Sequence, residues 1–154
     1  MTTMTQTRID AARAEMHAVF TTAADVANAL HAANGCSYCR RQAYQQQPGE
    51  PLFKPTRFDA EDISDDETGF EAQQYDSYHD RETTHFLTIP DRLLADPAAL
   101  GEAIAVAQAA HDAVATKLLE RAAAKTAGRE REERATLRRL AERYPEELVN
   151  ESAP

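Results

Sequence analysis

The sequence predicts a mainly α fold, with long amphipathic helices packed as a small bundle, a small β-hairpin and a zinc knuckle. Apolar repeats of helical period indicate the helices, at residues 8–34 and 96–144, and alternating side chains between them indicate the hairpin, at 70–89. The 154 residues suit one domain, which we expect to span 1–154. Only 6% of the residues are aromatic and there is no Trp, so we expect a small hydrophobic core. Such a core gains stability from a cross-link or from a partner subunit.

The first helix is predicted from a heptad seam, that is, apolar residues repeating every seven positions at two offsets. We expect this seam to face another helix, within the chain or in a second one. Asn34-Gly35 supplies the left-handed stop that commonly ends a helix. The seam residues are Ile9, Ala12, Met16, Val19, Ala23, Val26, Leu30 and Ala33.

Residues 35–69 are predicted to hold the knuckle and then an irregular connector. Cys36 and Cys39 follow the helix stop directly. Pro48, Pro51 and Pro55 then exclude regular structure over the next stretch. Six acidic residues within 59–67 predict a solvated, mobile segment.

The predicted hairpin places His79 and His85 on either side of a five-residue loop, "DRETT" at residues 80–84. If the hairpin is symmetric about Glu82, the two histidines are direct cross-strand partners with Cβ atoms about 5 Å apart. His85, Leu87 and Ile89 would share one face of the returning strand by period two.

The C-terminal helical region begins at Asp96-Pro97, an N-cap followed by proline at the first helical position. Gly128 would either end this helix or bend it, so the sequence allows a helical hairpin or a bent long helix over 96–144. The apolar stripe near its end consists of Leu137, Leu140, Ala141 and Tyr144.

The C-x2-C pair has the spacing with which two thiolates reach one tetrahedral metal ion. Cys36 and Cys39 with His79 and His85 would complete a set of four ligands, and the order resembles a Cys2His2 zinc site with a long insertion. His31, in the last turn of the first helix, is a substitute ligand or a group that orients one. Such a closed site predicts structural zinc and no catalytic residue.

Two other interpretations of the cysteines stay open. C-x2-C is also the spacing of redox pairs, but those lie at a helix N-terminus, where the dipole favours the thiolate. Here the pair follows a helix C-terminus, which argues against redox chemistry. The third interpretation is a pair of buried, inert thiols with surface histidines.

The charge pattern limits the partners. A net charge of −9 and a pI near 5.0 disfavour binding to nucleic acid and to anionic membranes. No apolar run approaches the length of a membrane span, and the N-terminus lacks the pattern of a secretory signal. We expect a cytoplasmic chain, or one incorporated in a virion or another particle.

The sequence therefore predicts a non-enzymatic adaptor or particle component, for example a viral one. Its helix seams would bind protein partners, as a homo-oligomer or within a larger assembly. One alternative is a zinc-containing, DNA-associated regulatory protein, with Arg40 and Arg41 beside the knuckle as the start of a basic patch. A second alternative is a small enzyme with an open zinc site, in which Asp80 or Glu82 would stand near the ion.

Overall fold

The structure is a computed structural model that describes residues 2–54, 56–78 and 81–145. Its chain contacts divide into two compact units, residues 1–115 and 116–154. The mainly α prediction is confirmed, whereas the expectation of a single domain stays a prediction. The elements in chain order are helices α1 (Thr2–Asn34) and α2 (Ser37–Ala43), a 3-10 turn (Ala60–Asp62), strands β1 (Ile63–Asp66), β2 (Gly69–Tyr78) and β3 (Arg81–Pro90), and helices α3 (Asp91–Ala95) and α4 (Pro97–Arg143).

Helix α1 extends six residues further toward the N-terminus than the predicted start at residue 8. Gln6 supports the added turns by donating a 3.0 Å hydrogen bond to Asp10, one turn later. The predicted end at Asn34 is confirmed. Gly35 has φ +62°, a left-handed conformation, and its N–H donates to the carbonyl of His31 at 2.6 Å.

The sheet has three antiparallel strands in the order β1-β2-β3, one more than the predicted hairpin. Strand β1 lies within the acidic stretch 59–67, so this part of the predicted irregular connector has regular structure, while its acidic residues are solvated as predicted. Ile63 is buried, while the other three residues of β1 are exposed. One inward apolar side chain is enough to anchor this short edge strand, and its carboxylates stay in water.

The predicted five-residue loop at 80–84 is also wrong, because β3 begins at Arg81. Thr84 has a β-branched side chain, which favours extended backbone. The register pairs Tyr78 with Arg81 and Gln74 with His85. This register differs from the one that would place His79 opposite His85, and His79 itself lies outside the described residues.

The core of the first unit lies between the C-terminal half of α1 and the inner face of the sheet, with α3 at one edge. The side chain of Asn28 on α1 makes hydrogen bonds to both backbone polar groups of Phe58, which lies in the connector. Its side-chain oxygen accepts from the N–H of Phe58 at 2.7 Å, and its side-chain nitrogen donates to the Phe58 carbonyl at 2.9 Å. The buried core residues are Ala23, Ala24, Val26, Ala27, Phe58, Ile63, Ala72, Ile89 and Leu93.

Helix α4 begins as predicted, because the Asp96 carboxylate accepts a 2.9 Å hydrogen bond from the N–H of Ala98. Gly128 neither ends the helix nor divides it, so the structure has no helical hairpin at 96–144. The second unit contains the C-terminal part of α4. Its larger apolar residues include Leu119, Leu137 and Leu140, which are exposed.

Among the described residues, no helix has an apolar stretch long enough to cross a membrane.

Candidate metal centre

Four side chains converge between the end of α1, the start of α2 and the middle of β3. The members of this metal cluster are His31, Cys36, Cys39 and His85, and one potential ligand atom from each lies within 4.8 Å of all the others. All four are buried, with exposed fractions of 1%, 0%, 3% and 6%. The structure therefore brings together a set of two thiols and two imidazoles that lies close enough to bind a metal.

The left-handed turn at Gly35 brings three of these residues together. By reversing the chain directly after α1, it returns Cys36 and Cys39 to the last turn of that helix, where His31 lies. A Cβ at position 35 would lie 2.6 Å from the Cβ of Cys39 and 3.2 Å from the Phe53 ring. Position 35 thus requires glycine for its backbone angle and also for space.

Helix α2 positions the two cysteines, and strand β3 carries the second histidine. Cys36 is the N-cap residue of α2 and Cys39 lies in its first turn, where the carbonyl of Cys36 accepts from the N–H of Arg40 at 2.9 Å. His85 comes from the buried face of β3, on which Leu87 and Ile89 follow by period two.

The distances between ligand atoms fall in a narrow range. The two sulfur atoms lie 3.5 Å apart, too far for a disulfide and close enough for a hydrogen bond. Nδ1 of His85 lies 3.4 Å from the sulfur of Cys36 and 3.6 Å from that of Cys39. Nε2 of His31 lies 3.5 Å from the sulfur of Cys39. These distances link all four donor atoms in one cluster.

Aromatic rings hold the two imidazoles in place. The His31 ring makes edge contacts with Phe53, Phe58 and His85, with centroids 5.3, 5.7 and 5.8 Å apart. Tyr38 makes a similar contact with His85 at 5.8 Å. Because Asn28 fixes the backbone of Phe58, it also positions one wall of the His31 site. These contacts restrict the rings to orientations in which their nitrogens face the thiols.

The thiols titrate as a pair. The pKa of Cys36 lies far below its usual value, because its hydrogen bond with Cys39 stabilises the thiolate and contacts with the histidines add to this. The pKa of Cys39 is raised by the same hydrogen bond and by burial. One proton is therefore retained between the two sulfurs, and a metal ion that takes two thiolates would displace it.

The structure places the sequence-predicted ligands differently from the leading prediction. Cys36, Cys39 and His85 lie in the cluster, and the fourth member is His31, the predicted substitute. His79 lies outside the described residues. The signal that favours His31 is present in the sequence: a helix stop of the Asn-Gly type returns the next residues to the last turn of the helix, where His31 lies.

The position of the cysteines along the chain does not by itself exclude a redox pair. The cysteines do follow the C-terminus of α1, but Cys36 also occupies the N-cap position of α2, and redox pairs are likewise found at a helix N-terminus. The two histidine nitrogens within 3.6 Å of the sulfurs are a better reason to prefer a metal, since redox activity does not require them.

A scan against protein-family models, a search of curated proteins and a search of solved structures each found no match to this chain. The cluster must therefore be interpreted from its own chemistry.

Proposed function

We propose that this chain is a non-enzymatic helical protein that binds one structural zinc ion and acts by associating with other protein chains. The observation that carries the zinc assignment is the convergence of four buried ligand atoms within 4.8 Å of one another. Two cysteines and two histidines form a ligand set that suits tetrahedral zinc.

The distances support a tetrahedral ion. With Zn–S bonds of about 2.3 Å and Zn–N bonds of about 2.05 Å, a tetrahedron has sulfur–sulfur pairs about 3.8 Å apart and sulfur–nitrogen pairs about 3.6 Å apart. The corresponding separations are 3.5 Å and 3.4 to 3.6 Å. These four separations agree with a tetrahedral site to within a few tenths of an ångström, and the other two pairs, from His31 to Cys36 and to His85, lie within 4.8 Å.

Burial favours a structural role over the enzyme alternative. Four protein ligands fill a tetrahedral shell, and catalytic zinc needs a position open to water or substrate. The most exposed ligand, His85, has 6% of its surface accessible. The ion would instead join α1 and α2 to β3, which strengthens a unit whose core contains many alanines.

Exposed apolar helix surfaces support association with other chains. Ile9, Met16 and Val19 repeat along one face of α1 and are 43%, 59% and 44% exposed. Apolar side chains repeated along a helix face are typical of surfaces that bind another chain. The DNA-associated alternative has weaker support, since Arg40 and Arg41 are exposed on α2 but belong to an acidic chain.

Metal analysis of the natively purified chain tests the zinc assignment. We expect one zinc per chain by plasma mass spectrometry, and visible absorption typical of a tetrahedral thiolate site after cobalt substitution. Cys39→Ser and His31→Ala should each lose stoichiometric zinc. His17→Ala, which changes a histidine on the exposed part of α1, is the matched control and should retain it.

The variant His79→Ala separates the two ligand sets, because the cluster already has four members without His79. It should therefore retain zinc. If His79→Ala loses zinc and His31→Ala retains it, the fourth ligand is His79 and not His31. A folded wild-type chain without metal would refute the zinc assignment.

A further inference from the structure

The N-terminal half of α1 continues the heptad seam beyond the core. We define the inner seam as Ala23, Val26, Leu30 and Ala33, and the outer seam as Ile9, Ala12, Met16 and Val19. The inner seam is buried or partly buried, whereas residues 5–19 are exposed on every side of the helix. A helix of about 15 residues is only marginally stable alone in water, so this segment gains from a second helix on its outer seam.

The side chains of the outer seam suit pairing with an antiparallel copy of itself. In one antiparallel register, Ile9 faces the partner's Ala12, and Met16 faces the partner's Thr5. Each bulky side chain then meets a small one, which lets the two helices approach closely. The two-fold symmetry repeats both contacts, as in an isologous dimer.

The charges beside the outer seam select this register. Arg8 and Glu15 flank the same side of the seam, one heptad apart, and both are exposed. In the antiparallel register described above, Arg8 faces the partner's Glu15, and the symmetry makes this attractive pair twice. Charged residues at such flanking positions determine helix orientation and partner choice.

Other pairings place like charges together. Two parallel helices would bring Arg8 next to the partner's Arg13. An antiparallel pair shifted by one heptad would place Glu15 next to the partner's Glu15 and Arg13 next to the partner's Arg13. Like charges in these positions destabilise the pair. Of the three arrangements, only the first has opposite charges in contact.

The favoured register overlaps only the N-terminal halves of the two α1 helices. It pairs residues whose numbers add up to about 21, so the partner's residue 20 lies level with the beginning of α1. The core of each copy starts near residue 20, where Phe20 contacts Phe70 with ring centroids 6.0 Å apart. The core of each copy therefore begins at the N-terminal end of the other copy's helix.

We propose that the chain forms a two-fold symmetric dimer in which the outer seams of two α1 helices pair antiparallel, with Arg8 of each copy against Glu15 of the other. The proposal rests on the association part of the proposed function and names its partner, a second copy of the chain. It does not depend on the metal.

Substitutions that reverse the charges of Arg8 and Glu15 test the dimer. They are made in the zinc-loaded 154-residue chain, and sedimentation equilibrium measures the dissociation constant of the dimer. Arg8→Glu and Glu15→Arg should each raise the dissociation constant about tenfold, because each creates two like-charged contacts. The double variant exchanges the charges and should return to within about threefold of the wild type. Arg13→Glu is the matched control, since it faces the partner's Gln6 and should change the constant less than about threefold.

Three results would overturn the proposal. They are a wild type that stays monomeric at the highest concentration reached, a double variant as weak as the two single variants, and tighter association of Arg8→Glu, which a parallel pair predicts. Circular dichroism of each variant checks that α1 remains helical. Zinc content is measured on the same samples, so that the two proposals are tested separately. If only the dimer proposal fails, the chain still contains one zinc. If only the zinc proposal fails, the charge variants still change the dissociation constant as described.

Discussion

The two halves of α1 have the same apolar repeat and different surroundings. In the C-terminal half, the inner seam packs on the sheet, and the last turn of the helix carries His31 of the metal cluster. In the N-terminal half, the outer seam lies in water. A heptad repeat thus predicts that a helix has an apolar face, but it does not predict what covers that face. Here a sheet covers one half, and we propose that a second copy covers the other.

The largest difference between the halves should come from the metal. If the cluster binds zinc as proposed, removing the ion with a chelator should lower the free energy of unfolding by several kcal/mol, because the ion would join the end of α1 to α2 and β3. Thermal unfolding followed at a core probe measures this, with Cys36→Ser as the genetic equivalent. The chelator should have little further effect on Cys36→Ser, and a large effect there would show that it acts elsewhere.

The turn at Gly35 should give the next largest effect. Gly35→Ala forces a left-handed alanine against Cys39 and Phe53, which should cost about 2–4 kcal/mol of unfolding free energy and weaken metal binding. Gly49→Ala is the matched control. Gly49 also has a positive φ, of 89°, but a Cβ there meets nothing within 4 Å, so the cost should be near 1 kcal/mol. Equal costs at the two positions would contradict the steric part of this argument.

Val26 and Val19 allow the same substitution in both halves of α1. Both occupy the same heptad position, but Val26 is 5% exposed and Val19 is 44% exposed. Val26→Ala should lower the unfolding free energy by about 2 kcal/mol, because it leaves a cavity in the core. Val19→Ala should cost less than about 0.5 kcal/mol when measured at concentrations where the chain is monomeric. Similar costs would mean that the two seams are equally buried in solution.

The smallest of these effects should come from Asn28, which ties the connector to the inner half of α1. Asn28→Ala removes two hydrogen bonds to the backbone of Phe58 and should cost about 1–2 kcal/mol. Since Phe58 forms one wall of the His31 site, zinc affinity should fall as well. Unchanged zinc affinity in Asn28→Ala would show that the connector does not position His31.

The sequence was sufficient to predict the long helices, because their apolar periodicity and end signals lie within the elements themselves. The stop at Gly35 and the cap at Asp96 are local features of this kind. Strand β1 was missed because a single buried residue, Ile63, stands among acids, and the partner that pairs with it lies elsewhere in the chain. Local composition does not encode that pairing.

The cluster was partly predictable for the same reason. The spacing of Cys36 and Cys39 indicated a site, and the geometry of the helix stop explains why His31 belongs to it. The choice between His79 and His31 depended on the strand register, which is set by the position of the hairpin turn. A shift of the turn by a few residues changes which side chain faces His85, and the sequence of β2 and β3 allows more than one such position.

The order of the ligands along the chain has a consequence for folding. Three of the four lie within residues 31–39, and His85 comes 46 residues after Cys39. Contacts between near neighbours form early, whereas distant ones wait for a long loop to close. If the cluster binds zinc as proposed, the ion can be captured by the three local ligands first. His85 would then arrive as the last ligand, so completion of the coordination shell would report that the sheet has formed.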